Sequence, residues 1–265
     1  MIQSPLLVAQ ITDTHLFADS QQDLLGLPTT DSLQALLKHL ARLSPQPDLL
    51  LLTGDLSQDG TPESYDRLQA LLAPLGIPAY WIPGNHDADL EEMARSLTHP
   101  LFLPDRSFEM GGWRFVLLDS QEIDCVHGVL SSSELSRLDR DLSQHSDQPT
   151  IVALHHPPFQ MCSDWLDTSI LQNSEALFAV LDRHAQVKLV LFGHIHQEFE
   201  RQRCGVTYLG TPSTCIQFEP ESQDFSIDSE KPGFRLLNLY PNGIWDTKVK
   251  RIAYSHQPDL AAAGY

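Results

Sequence analysis

The chain has 265 residues, 42% of them apolar, enough for one substantial buried core. Its formal net charge is −18, from 35 acidic and 17 basic residues with no basic stripe among them, so a nucleic-acid partner is argued against. A small anion stays admissible as a substrate, because bound divalent cations invert the field locally.

Leu6 to Ile11 is an unbroken apolar run that reads as a buried strand, ending in Thr12-Asp13-Thr14-His15. Asp31 is placed to N-cap a helix carrying Leu33, Leu36, Leu37 and Leu40 on one face. Asp48 to Thr53 is the next strand and runs straight into Gly54-Asp55. The helix after it is expected near Thr61-Pro62-Glu63, with Pro62 at the first helical position, where its missing N–H costs nothing. Ala79 to Ile82 feeds Pro83-Gly84-Asn85-His86-Asp87. Phe115 to Leu118 is a fourth strand, and Ile151 to Leu154 a fifth, ending in His155-His156-Pro157-Pro158. Val187 to Leu191 opens onto Gly193-His194-Ile195-His196. Thr207 to Gly210 and Phe234 to Tyr240 read as strands, with Pro241-Asn242-Gly243 as a turn and Ile244 to Ile252 as the return arm of a hairpin. Glu219 to Lys231, acidic and Ser-rich, reads as an exposed loop, and residues 256–265 as a tail that frays. No linker or repeat divides the chain, so a single domain over 1–265 is expected.

Met1 to Pro5 lack a positively charged start, and the apolar run after them is too short for a signal-peptide core. No segment reaches the roughly 18 apolar residues of a membrane span. Cys125, Cys162, Cys204 and Cys215 form no C-x-x-C pair and read as free thiols in a reducing compartment. A cytoplasmic protein without a membrane partner is expected, as a monomer or a homodimer.

Strands alternating with amphipathic stretches argue for an α/β core. Ligands of such sheets bind beyond the carboxyl ends of the strands, and every polar cluster above sits at such an end. The groups gathered there are carboxylates, imidazoles and an amide oxygen without a thiolate, a set suited to Mn²⁺, Fe, Zn²⁺ or Mg²⁺. Taken singly, each cluster is a common turn; in order they read D-x-H, G-D, G-N-H-D, H-H-P-P and G-H-x-H.

That array resembles the calcineurin-like metallophosphoesterase superfamily. The resemblance implies an α/β four-layer sandwich, two mixed β-sheets flanked by helices, with two divalent ions, Fe²⁺ and/or Mn²⁺ first. By the same resemblance Asp13, His15 and His196 would hold one ion, Asn85, His155 and His194 the other, and Asp55 would bridge them. Two such ions lower the pKa of a water between them and clamp phosphate oxygens, so the resulting hydroxide would attack phosphorus in line with the leaving oxygen. His86 would not be a ligand; it would stand beside the metals as a general acid, or else orient Asp87. Asn85, His86 and His196 would also face the substrate. His156 is open between a supporting and a turn role.

Longer stretches resemble the bacterial class III cyclic-nucleotide phosphodiesterases: Ile11 to Phe17, Leu25-Gly26, Gly54 to Asp59, Leu118 to Gln121, Cys162 to Asp167, Gly193 to Gln197, Pro212 to Phe218 and the terminal Gly264-Tyr265. This resemblance runs nearly end to end and implies hydrolysis of 3′,5′-cyclic AMP to 5′-AMP. The rival readings are a broad phosphodiesterase for glycerophosphodiesters and a non-catalytic scaffold on the same fold. The base would need a wall, for which Ser163 to Asp167, Asn173 and Ser213-Thr214 are candidates; Trp165 could stack on it or serve as a packing anchor. His39, His99, His145 and His184 are expected at the surface.

Overall fold

The computed structural model describes residues 4–254 together with 259, 261, 262 and 264; the rest of the expected frayed tail and Met1 to Gln3 lie outside the described residues. In chain order the elements begin with β1 (Leu6–Ile11), the small hairpin β2 (Asp23–Leu24) and β3 (Leu27–Pro28), and α1 (Thr29–Leu40). There follow β4 (Leu49–Thr53), α2 (Pro62–Leu72), β5 (Ala79–Ile82), α3 (Leu90–Ser96), β6 (Phe102–Leu103), β7 (Ser107–Met110) and β8 (Trp113–Leu117). The middle of the chain gives α4 (Ser132–Gln144), β9 (Thr150–Ala153), α5 (Ser174–Leu181) and β10 (Val187–Phe192). Last come β11 (Phe199–Arg203), β12 (Val206–Gly210), the short pair β13 (Gln217–Phe218) and β14 (Ile227–Asp228), and the hairpin β15 (Gly233–Leu239) and β16 (Trp245–Arg251).

Two six-stranded mixed sheets result, ordered β16-β15-β1-β4-β5-β6 and β11-β12-β10-β9-β8-β7. The inner strands β1, β4 and β5 run parallel, as do β8, β9, β10 and β12; the antiparallel strands stand at the flanks. The strand period of two explains the layering. In β4, Leu49 and Leu51 enter the core between the sheets, while Leu50 and Leu52 face the core under α1 and α2. In β10, Leu189 and Leu191 join the inter-sheet core, while Val190 and Phe192 pack with Leu138 of α4 and Leu177 of α5. Buried on both faces, these strands are apolar except for Lys188 and Thr53, which is why they read as solid runs. Helices outside, two sheets inside: the fold is the expected four-layer α/β sandwich.

Four local details differ from the sequence reading or sharpen it. Helix α1 starts at Thr29 behind Pro28, so Asp31 is not its N-cap; it lies in the first turn, where its charge favours the positive end of the helix dipole. Helix α2 does open behind Thr61, whose side chain accepts from Ser64 N, with Pro62 following. His184, expected at the surface, is only 8% exposed; its Nε2 donates to Asp139 Oδ1 at 2.8 Å, tying the end of α5 to α4. Within 219–231, exposed along most of its length, Ile227 is buried where β14 pairs with β13. Among the described residues no helix is long and apolar enough to cross a membrane.

Candidate metal centre

The parallel strands of both sheets end at one edge, and the turns beyond them carry the chemistry. Asp13 and His15 follow β1, Asp55 follows β4, Asn85 and His86 follow β5, His155 follows β9, and His194 and His196 follow β10. These turns are tight: Asp13, His15, Asp55, His194 and His196 all take positive φ, from 44° to 68°. Non-glycine residues reach that region at a cost, which the surrounding packing must hold. Glycines give the close approach. A Cβ on Gly84 would press on Oδ1 and N of Asp55, and one on Gly193 would strike Thr12 Oγ1 and lie 2.8 Å from Asp13 Oδ2.

The hydrogen bonds fix which atom each imidazole presents. His155 Nδ1 donates to Thr53 O (2.8 Å) and His196 Nδ1 to Ile216 O (2.8 Å). His15 Nδ1 donates to Gln58 Oε1 at 2.5 Å. All three rings therefore leave Nε2 as the ligating nitrogen, which bears the lone pair when the ring is neutral. His194 is turned the other way: Nε2 pairs with Ser169 Oγ at 3.0 Å, leaving Nδ1.

Two sets of donor atoms emerge. Asp55 Oδ2, Asn85 Oδ1, His155 Nε2 and His194 Nδ1 are buried and make no hydrogen bond of good geometry. Buried polar atoms are almost always paired; here the one contact within the set is the 3.2 Å approach of His155 Nε2 to Asp55 Oδ2, and Asn85 Oδ1 and His194 Nδ1 beside it mark a missing partner. In the second set the lone-pair atoms His15 Nε2 and His196 Nε2 face each other at 3.1 Å, with Asp13 Oδ1 3.5 Å from His196 Nε2 and Asp55 Oδ2 3.8 Å from His15 Nε2. Two acceptors pointed at one another repel unless a cation draws both. Asp55 stands at both sets. The donors, oxygen and nitrogen throughout, fit two divalent ions, and the centre is a dimetal one.

Electrostatics agree. Burial pushes the pKa of His15 down to about 3 and holds His194 well below its usual value, so both rings are neutral ligands-in-waiting. Burial also opposes charge on Asp55, yet the His155 ring and its neighbours keep the carboxylate well below its ordinary range. For His155 burial works downward, but the Asp55 carboxylate 3.2 Å away outweighs it and pushes the ring up to about 9. That proton is one an incoming cation must displace.

The remaining expected residues separate clearly. His86 N donates to Asp55 Oδ1 at 2.9 Å and the side chain borders the adjoining cavity, of about 560 Å³. His156 has both nitrogens engaged, Nδ1 accepting from Ser120 Oγ and Nε2 donating to Val126 O, so it supports the wall of the site. Trp165 borders the same cavity, edge-on to Phe218 and Phe225 at 5.0 Å each, with its Nε1 donating to Ser222 Oγ. It is a packing anchor and a cavity wall at once. Asn173 is spent on both backbone groups of Leu130, and Ser213 on Asp13 O beneath the metal turns. Asp87 accepts from Leu56 N, Ser57 N, Gly84 N and Tyr65 Oη, lashing the β4 and β5 turns together; burial and nearby Asp55 raise its pKa to about 7. Sequence reading gave no role to Phe218, which stacks on His196 at 4.1 Å, nor to Phe225. A base-sized apolar wall leaves no motif to read.

Fold and donors together define a binuclear phosphoesterase, and the chain belongs to the calcineurin-like phosphoesterase family, whose sequence model matches residues 6–198. It is 54% identical to a 3′,5′-cyclic-nucleotide phosphodiesterase of Nostoc sp., covering 95% of this chain and 94% of that one. It is 41% identical to the 3′,5′-cyclic adenosine monophosphate phosphodiesterase CpdA of Pseudomonas aeruginosa, over 98% and 95%. Among solved structures, a dimetal phosphatase from Danio rerio superposes with a TM-score of 0.67 at 15% identity, covering 95% of this chain and all of that one; it shares the fold.

Proposed function

We propose that the protein hydrolyses 3′,5′-cyclic AMP to 5′-AMP. The observation that carries a binuclear hydrolase is the pair of facing donor sets: four buried donor atoms without a hydrogen bond on one side, two opposed imidazole lone pairs on the other, joined at Asp55. The nearly full-length similarity to cyclic-nucleotide phosphodiesterases supports the substrate. In this reading Asp13, His15 and His196 hold one ion, Asn85, His155 and His194 the other, and Asp55 both; Fe²⁺ and Mn²⁺ suit such donors, with Zn²⁺ or Mg²⁺ as substitutes. When bound, the ions would make a water acidic enough to attack at neutral pH and would neutralise the phosphate oxygens.

The chain's own residues do the rest. Hydrolysis forms a bond from the water oxygen to phosphorus and breaks P–O3′, so one proton must reach the departing O3′. His86, held by its backbone N–H on Asp55 and bordering the cavity, is the group placed to give it. Trp165, Phe218 and Phe225 offer an apolar wall on which a purine can lie. The four cysteines are free thiols, compatible with the reducing cytoplasm in which we place this activity.

That wall carries no base-specific contact by itself, which favours one second reading, a broader enzyme for small diesters. Mn²⁺-loaded protein incubated with cyclic AMP, with 5′-AMP followed by chromatography, tests the choice. Rapid turnover lost in Asn85→Ala is expected; hydrolysis of glycerophosphocholine with cyclic AMP untouched would replace the substrate and keep the centre.

A further inference from the structure

Gln58 lies three residues beyond Asp55, and its amide is shared between two imidazoles. Oε1 is 2.5 Å from His15 Nδ1, and Nε2 is 3.1 Å from His86 Nδ1. The rings themselves meet edge to face at 5.1 Å. We propose that Gln58 is a positioning residue that sets the tautomers of His15 and His86 in opposite senses, making the first a metal ligand and the second a proton donor. The proposal rests on the phosphodiesterase reading for the donor's purpose, but not for the tautomers.

Counting donors and acceptors fixes both rings. An amide oxygen only accepts, so the His15 proton sits on Nδ1 and Nε2 keeps the lone pair that faces His196. An amide nitrogen only donates, so His86 Nδ1 must accept, and the neutral ring carries its proton on Nε2. Losing the amide removes the donor that makes Nδ1 accept, and with it a bias against the other tautomer of His86, in which Nε2 is an acceptor and useless to a leaving oxygen. One side chain therefore couples the orientation of a ligand to that of the general acid, much as hydrogen-bonded partners orient metal-bound histidines elsewhere. The backbone helps to hold it: Gln58 N donates to Leu16 O at 2.8 Å, next to His15.

Two measurements on Gln58→Met, which keeps the side-chain length and removes both hydrogen bonds, decide the matter. The first is ¹⁵N histidine NMR on the diamagnetic Zn²⁺-loaded protein. His15 should show Nδ1–H and His86 Nε2–H in the wild type, and His86 should shift toward a mixture in the variant; a wild-type His86 protonated on Nδ1 overturns the proposal whatever the substrate proves to be. The second compares leaving groups on the Mn²⁺ enzyme. kcat for cyclic AMP should fall on the order of 10²-fold with KM little changed, whereas bis(4-nitrophenyl) phosphate, whose aryloxide needs no proton, should lose less than tenfold. Equal losses on both substrates would mean a merely structural role and would sink it. If the wild type spares cyclic AMP yet shows both tautomers, the assigned function fails and the role of Gln58 stands.

Discussion

Gly84 shows how little room the centre leaves at a single residue. It needs no left-handed backbone; it is glycine because Asp55 occupies the space where a Cβ would go. Gly84→Ala is expected to displace Asp55, the carboxylate common to both donor sets, at an overpacking cost of about 1–3 kcal/mol that leaves the domain folded. Metal analysis should then find fewer than two Mn²⁺ per chain with unchanged far-UV circular dichroism. A variant that keeps two ions and full turnover would refute the steric argument. At this scale the sequence was generous with the groups that end a strand, because each follows an apolar run directly: Asp13, Asp55, Asn85, His155, His194 and His196 all come together where the runs stop. Gln58 and the lashing role of Asp87 were not legible. Their hydrogen bonds span 43 and 28 residues for Gln58 and 31 for Asp87 with Leu56, and no local pattern announces a partner that distant.

At the scale of elements, legibility followed burial. β1, β4, β9 and β10 are buried on both faces and mostly apolar, and stand out at once, while β11, Phe199–Arg203, is an exposed edge of charged and polar residues after Phe199 and has no signal to give. Helix α4 is anchored to its sheet by polar pins as well as by Leu138 and Leu142. Glu134 accepts from Arg106 and Arg137 and from Asp119 N, binding α4 to the strand edges beside it. Burial opposes its charge, but the two guanidinium groups and the backbone N–H hold its pKa below the ordinary value of 4.5. A carboxylate whose folded pKa is depressed adds stability above its unfolded pKa and loses it as pH falls through the folded one. Glu134→Gln should therefore cost about 1–3 kcal/mol in urea unfolding at pH 7, and the gap to wild type should narrow steadily below pH 4.5. A gap that does not change between pH 7 and pH 3.5 would show that packing, not charge, is what the substitution removes.

The whole molecule joins two sheets whose strand ends meet at the metal centre, so the ions would act as a clamp between them. Asp13, His15, Asp55 and Asn85 come from the β1-β4-β5 sheet, and His155, His194 and His196 from the other. Without cations, buried carboxylates and imidazoles are crowded at that seam on a chain already carrying a net charge of −18, an arrangement that opposes the folded state. A ligand that binds only the folded state stabilises it by roughly 2.7 kcal/mol per site at a hundredfold excess over Kd. For a chain of this size each kcal/mol raises Tm by about 2–4 °C, so two ions should move it by roughly 10–20 °C. Scanning calorimetry of protein stripped with a chelator and then titrated with Mn²⁺ measures this. The rise should come in two saturable steps, and in Asn85→Ala, which leaves Asp13, His15, Asp55 and His196 intact, only one should survive. Two bound ions per chain with no change in Tm would mean that the donors are not preorganised in the folded state alone, and the clamp would have to be abandoned.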